Sequence, residues 1–281
     1  MKPGSGSKTA VYVCMGRALA HGTTSESRFA DPTAFTLLPD DAQARVELIR
    51  KGEAPKSLRA RLGYAYLGRQ AKVMVARTVA IDDAVRAAAS PQLVILGAGL
   101  DGRAWRMPEL SRVTVFEVDH PDSQRDKMAR AAGLTKSAAD IRFVPVDFTR
   151  DNLDEALASA GHDPARATTW IWEGVVMYLT QAAIEATLTV IGRRSAAGSR
   201  LIVLYHTPAI MRRFVGLIVR RLGEPFRSHS TAEEMRTLLA KYGFTVTGDK
   251  DMHEIGLTLS AEIAQATRAV KHMRIVIADR E

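Results

Sequence analysis

Hydrophobic and polar positions divide the chain into two stretches with different periods. Residues 9–90 carry apolar residues at helical spacing, broken by turn-forming pairs. Thr9–Ala20 reads as one helix. Asp31-Pro32 and Leu38-Pro39-Asp40 read as turns. Asp40 is placed to cap a helix to about Arg50, and a longer helix runs from about Ser57 to Ala80. Asp82 and Asp83 then open a short helix that stops before Ser90-Pro91.

Beyond Pro91 the pattern changes to short, continuous apolar runs. These are LVILG (93–97), VTVFEVD (113–119), IRFVPVD (141–147), TWIWEG (169–174) and RLIVLYH (200–206). Helical stretches separate them at Arg103–Glu109, Pro121–Ala132, Leu153–Ala160 and Gln181–Arg194. Continuous apolar strands alternating with helices predict a parallel sheet covered on both faces. Thr231-Ala-Glu-Glu234 reads as a capping box for a helix to Lys241, which Gly243 ends. FTVTG (244–248) and HMRIVIAD (272–279) complete seven strands. The expectation is an α/β, Rossmann-like, seven-stranded and mostly parallel sheet in one domain. Residues 1–90 form a helical N-terminal cap, and a lid insertion lies at about 207–230.

Composition narrows the class. The 281 residues are 46% hydrophobic and 25% charged, with a formal charge of +8, as in an ordinary globular protein. A single cysteine, Cys14, excludes an internal disulfide. No apolar run is long enough for a membrane span, and the Gly/Ser-rich first seven residues, expected to be mobile, lack a signal-like layout. A cytoplasmic protein without nucleic-acid or membrane partners is expected. The histidines show no metal-ligand spacing, and no nucleophile elbow is present.

The candidate chemistry lies at the carboxyl ends of the predicted strands. Gly97-Ala-Gly99-Leu-Asp-Gly102 follows the first strand directly and fits a nucleotide-binding βα turn. Asp119 ends the second run, Asp147 the third, and Glu173 stands near the end of the fourth. Ligands of open α/β sheets bind outside these ends. Asp101 inside the turn suits a dinucleotide pyrophosphate poorly. A cationic cofactor without phosphate, S-adenosyl-L-methionine, suits the acidic crevice. Asp119 would take the ribose, Asp147 and Phe148 the adenine, and Glu173 the methionine end.

The segments VILGAGLDGRAWRM, VFEVDHP, VDF and WEGVVMYL resemble the leucine carboxyl methyltransferase family of class I methyltransferases, including its bacterial small-molecule and polyketide branch. SKTAVYVCMGRALA, FADPTA and VARTVAIDD upstream resemble the N-terminal cap of that family. The resemblance covers most of residues 8–206. It implies S-adenosyl-L-methionine as cofactor, with Arg77 pairing with the methionine carboxylate. Gly97 and Gly99 match its glycine turn, Asp119 its ribose acid, Asp147 and Phe148 its adenine pocket, and Glu173 its acid after strand four. One departure is Gly102-Arg103 where family members carry Thr-Arg; little consequence is expected, since glycine preserves the turn.

The implied activity is O-methylation of a carboxyl or hydroxyl group on a small molecule. Methylation of a protein C-terminus and a silent binding protein on the same fold are the alternatives. Tyr178 and His206 are the candidate catalytic residues, His206 acting as a general base or capping a loop. His120 is expected to be structural or adenine-adjacent, and Trp170 and Trp172 to be packing. Tyr12, Met15, Phe35, Tyr64 and Tyr66 are expected to line a cap over the pocket. The basic, apolar-centred segment Arg212–Arg221 reads as a lid or a homodimer contact, against an anionic partner or membrane surface.

Overall fold

The computed structural model describes residues 8–53, 57–148, 150–208 and 227–281. The expectations for residues 1–7 and for Arg212–Arg221 lie outside them. Four helices precede the sheet: α1 (Lys8–Ala20), α2 (Ala34–Leu37), α3 (Asp40–Arg50) and α4 (Leu58–Ala88). Two expectations are corrected here. Pro39, in an extended conformation, holds the N-cap position of α3, so Asp40 is a first-turn residue beside the positive helix end. The break before Asp82 does not occur, and α4 runs unbroken for 31 residues. The Asp82 carboxylate is bound by two arginine side chains instead of by its own backbone, so it does not cap.

The alternating part follows as β1 (Gln92–Leu96), α5 (Arg103–Arg106), β2 (Thr114–Asp119), α6 (Pro121–Ala131), β3 (Asp140–Pro145), α7 (Leu153–Ser159), β4 (Thr168–Trp172), α8 (Gln181–Arg193) and β5 (Arg200–His206). Next come α9 (Ala232–Lys241), β6 (Thr245–Asp251), α10 (Met252–Leu257), α11 (Ala261–Thr267) and β7 (Met273–Asp279). Helices α10 and α11 were not expected from sequence. Asp251 opens α10 with a capping box to Glu254, and both helices pack on α4. The capping box of Thr231 and Glu234 forms as expected.

The sheet order is β3-β2-β1-β4-β5-β7-β6. The first five strands are parallel in the 3-2-1-4-5 order of doubly wound sheets. Strand β7 inserts antiparallel between β5 and β6. The order reverses between β1 and β4, which opens a crevice at their carboxyl ends. Trp170 and Trp172 are fully buried in the core on one face.

Candidate functional site

The crevice begins at the turn after β1. Gly97 (φ 68°) and Gly99 (φ 48°) adopt left-handed conformations that favour glycine. A Cβ on Gly97 would also stand 2.2 Å from Val175 Cγ2, so both backbone and space require glycine there. The Gly97 and Ala98 N–H groups donate to the Val118 carbonyl at 2.8 and 3.0 Å, which bends the turn over β2. The Asp119 carboxylate accepts from the Gly99 N–H and, at 2.6 Å, from the His120 N–H. Burial pushes the Asp119 carboxyl above the usual range despite these donors. His120 caps α6, its Nδ1 accepting from the Asp122 N–H at 3.2 Å.

Behind the turn lies a chain of buried ions. Arg103 Nε meets Asp82 Oδ1 at 2.7 Å, and its Nη1 reaches Glu173 Oε2 at 2.9 Å and also Asp101. Arg77 pairs with the other oxygen of Glu173. Arg106 Nη1 binds Asp82 Oδ2 at 2.6 Å, and its Nε lies 3.7 Å from Asp31. Arg17 closes the chain with Nε 2.8 Å from Asp31 Oδ2 and Nη2 donating to the Leu100 carbonyl at 2.6 Å. Four guanidiniums thus face four carboxylates, and the formal charges cancel.

Burial alone would raise the Asp82 carboxyl; the Arg106 and Arg103 guanidiniums outweigh it and hold it below the usual range. Burial is likewise outweighed at Glu173 by Arg77 and Arg103, and at Asp31 by Arg17 and Arg106. At Asp101, burial is outweighed first by Arg103 and then by Lys127. Asp101 is therefore not the bare carboxylate that the sequence suggested. Buried charges persist only when paired in this way. The chain ties α1 and α4 to the glycine turn and to the end of β4.

A second buried pair lies beside it. Lys127 Nζ sits 2.6 Å from Glu117 Oε2 and 5.1 Å from the Trp105 ring centroid. Burial pushes the Glu117 carboxyl up to about 7, against the pull of Lys127.

These elements surround a cavity of ≈ 820 Å³. All nine residues singled out from sequence line it: Arg77, Gly97, Gly99, Asp119, Asp147, Phe148, Glu173, Tyr178 and His206. Asp147 lies two residues past β3, its N–H donating to Asp151 at 2.8 Å, and Glu173 lies one residue past β4. Helices α1 and α4 contribute Thr9, Ala10, Tyr12, Val13, Arg17, Gln70 and Met74.

The expected cap residues are corrected in part, because Tyr12 alone of the five lines the cavity. Met15 is buried in the core, and Phe35 packs under Arg50. Tyr66 is exposed and stacks on Tyr12 at 6.0 Å, and Tyr64 is half-buried. Aromatic residues at helical spacing face core, cavity or solvent with the same sequence pattern.

Most of the expected lid insertion, residues 209–226, lies outside the described residues; its described C-terminal end contacts residues that line the cavity. Arg227 N–H donates to the Met177 carbonyl at 2.7 Å, and Ser230 N–H to the His206 carbonyl at 3.0 Å. The His206 ring meets His272 edge-on at 5.3 Å. Cys14 donates to the Ala34 carbonyl, and burial pushes its thiol up to about 12, which leaves it unreactive. Among the described residues no cluster could hold a metal ion and no helix is long and apolar enough to cross a membrane.

Sequence reasoning gave Arg17, Asp31, Asp82, Arg103 and Arg106 no role in the site. A signal was present for four of them: Arg17 and Asp82 interrupt apolar helical stretches, and Arg103 and Arg106 open the helical stretch after the glycine turn, whereas Asp31 stands in a turn.

At Gly102 the surroundings leave no room for a side chain. A Cβ there would stand 2.0 Å from Thr33 Oγ1 and 3.2 Å from Thr33 Cβ. Thr33 donates to Asp31 Oδ1 at 2.7 Å, so the side-chain space at 102 is filled from the cap.

Comparison with known proteins agrees with this architecture. A crystal structure of a DUF574 family protein from Streptomyces avermitilis MA-4680 superimposes with a TM-score of 0.61 at 13% identity, covering 95% of this chain and 97% of that one. That likeness concerns the fold alone. A Streptomyces coelicolor A3(2) protein, provisionally named an S-adenosyl-L-methionine-dependent methyltransferase, is 34% identical over 221 residues, 73% of this chain and 71% of its own length. A protein of Mycobacterium sp. (strain JLS) with the same provisional name is 38% identical over 175 residues, 62% of this chain. The chain spans 58% of that mycobacterial relative. The family profile described as leucine carboxyl methyltransferase matches residues 10–192. The chain belongs to the leucine carboxyl methyltransferase family.

Proposed function

We propose that the protein is an S-adenosyl-L-methionine-dependent O-methyltransferase acting on a carboxyl or hydroxyl group of a small molecule. The observation that carries this reading is the donor set converging on one cavity. Asp119 offers carboxylate lone pairs to ribose hydroxyls beside the left-handed glycines. Asp147 and Phe148 offer an acceptor and a ring face to adenine. Arg77 offers a fork to the amino-acid carboxylate, and Glu173, its partner, faces the ammonium. This mixture of acids with Arg77 fits a zwitterionic, cationic cofactor without phosphate. When bound, that cofactor supplies a methyl group activated on a sulfonium.

The chain's own residues supply position and dryness. Helices α1 and α4 cover the rim and keep water from the reacting atoms. His206, at the end of β5, takes the proton of a hydroxyl acceptor, and Tyr178 orients the acceptor oxygen. A carboxylate acceptor is already ionised and would use His206 for position only.

The test is a calorimetric titration of the purified protein with S-adenosyl-L-methionine. One-to-one binding that is lost in a folded Arg77→Ala variant is expected. No binding by the folded wild-type protein overturns the reading.

A further inference from the structure

The cavity is asymmetric along the sheet. Its β1–β2–β3 side holds the glycine turn, Asp119 and Asp147, while Glu173 stands at the end of β4, paired with Arg77 and Arg103. Its β4–β5–β7 side is built from Met177, Leu204, His206 and Met273, roofed by Met74 and Tyr12. Met74, Met177 and Leu204 are almost fully buried, so this wall is enclosed. The three methionines come from three different elements: α4, the turn after β4, and β7. The antiparallel register sets Met273 directly beside His206.

The guanidiniums bordering this half are already engaged. Arg17 is held by Asp31 at 2.8 Å and the Leu100 carbonyl at 2.6 Å, and Arg77 by Glu173 and, on the proposed reading, by the carboxylate of the cofactor. A carboxylate moved into the apolar half would lose its hydration and meet thioethers. A neutral ring keeps its burial energy there, and thioether sulfurs contact aromatic rings favourably. A few polar side chains among apolar walls, here His206 and Tyr178, fix orientation, the usual design of a small-molecule pocket.

We infer that the acceptor is an uncharged aromatic hydroxyl compound, of phenol or naphthol type, gripped by Met74, Met177 and Met273 with its hydroxyl at His206. This rests on the methyltransferase reading and narrows its acceptor class. The step balances within the site. The acceptor O–H bond breaks and its proton passes to the His206 imidazole. A bond forms from the acceptor oxygen to the methyl carbon as the methyl–sulfur bond breaks. The electron pair of that bond stays on sulfur, which becomes a neutral thioether.

A matched pair of probes tests the class. The full chain, saturated with S-adenosyl-L-homocysteine, is titrated calorimetrically with 2-naphthol and with 2-naphthoate, which share a ring system. At least tenfold tighter binding of 2-naphthol is expected. Met273 is half-buried, so Met273→Gln should leave the fold and the S-adenosyl-L-homocysteine affinity in place and weaken 2-naphthol at least fivefold. Equal or tighter binding of 2-naphthoate overturns the inference. So does the binding of neither probe to a protein that binds S-adenosyl-L-homocysteine, or a Met273→Gln variant with unaltered 2-naphthol affinity. Failure to bind S-adenosyl-L-homocysteine overturns the methyltransferase reading itself, and the acceptor class with it.

Discussion

On the face of the sheet covered by α7, α8 and α9, the strands contribute Val94, Leu96, Phe116, Val118, Trp170, Trp172, Leu201 and Val203 to an apolar core. Neutral polar pairs lie within it: Trp170 Nε1 donates to Ser195 Oγ at 2.9 Å, and His162 Nε2 lies 3.1 Å from Thr168 Oγ1; its ion pairs, Arg194 with Asp154 and Arg274 with Asp249, are partly exposed. Burial, first, and then Arg194 push the His162 imidazole down to about 4, so it is neutral at physiological pH. The opposite face, under α1 to α4, carries apolar side chains as well, but it also buries the Arg17–Arg77 ion chain and the Glu117–Lys127 pair. The first face therefore holds the sheet mainly by apolar burial, with its ion pairs partly exposed. The other accepts the cost of desolvating ions. The ends of its ion chain, Arg17, Arg77, Asp101 and Glu173, line the cavity. The ionic face is where stability is tied to the site.

The comparison breaks most visibly at Asp82, whose two oxygens hold Arg103 and Arg106. Asp82→Asn leaves those guanidiniums short of charge in a buried setting and should cost about 3–5 kcal/mol in urea unfolding. It should also weaken S-adenosyl-L-methionine binding in the protein that remains folded, because Arg103 also positions Glu173. The pH sign follows from the lowered Asp82 carboxyl. Its contribution is fully present above the unfolded value, about 3.9, and is lost as pH falls through the lower folded value. The wild-type melting temperature should therefore fall more steeply between pH 5 and pH 3 than that of Asp82→Asn. Parallel pH profiles would contradict the assignment.

The apolar face supplies the contrasting case. Leu188→Ala empties part of a fully buried cluster and should cost about 3 kcal/mol. Its calorimetric affinity for S-adenosyl-L-methionine, measured on folded protein, should match wild type. A tenfold loss would show that both faces feed the site and would erase the distinction.

Much of this architecture could be read from sequence, and the failures have two causes. The strands at 200–206 and 273–279 were legible because each is continuously apolar, or nearly so, between turn signals. The glycine turn was legible because left-handed backbone demands glycine. Asp82 was misread because an aspartate before a short apolar run is also a cap signal. Its true partners, Arg103 and Arg106, lie on another helix, and no local pattern links them. Helices α10 and α11 escaped notice although Asp251 and Glu254 form a capping box, because the helices behind it are short. Long or strongly patterned elements were readable; short helices and pairings between elements were not.

A sharper probe of the ionic face stays at its rim. Asp119 has two backbone donors and stands beside the end of the ion chain without joining it. Asp119→Ala should weaken S-adenosyl-L-methionine binding by about 1.5–3 kcal/mol, the range for losing a charged hydrogen-bond partner. Calorimetric affinity equal to wild type would sink the ribose assignment while leaving the ion chain untouched.

The smallest effect concerns the seam between cap and turn, at Gly102. Its φ of −107° is open to any residue, so backbone strain does not demand glycine there. The demand is steric: an added Cβ would overlap Thr33 Oγ1, whose hydroxyl holds Asp31 in place at 2.7 Å. Turning Thr33 away would release that bond, and Asp31 in turn orients Arg17. Gly102→Ala should therefore cost about 1–2 kcal/mol, as overpacking does. In the Thr33→Ala background, where the space is vacated, the same substitution should cost much less. A double-mutant cycle on urea unfolding isolates that coupling. A coupling near zero would mean that the turn shifts freely against the cap. The ionic face would then be less rigidly joined to the glycine turn than its distances imply.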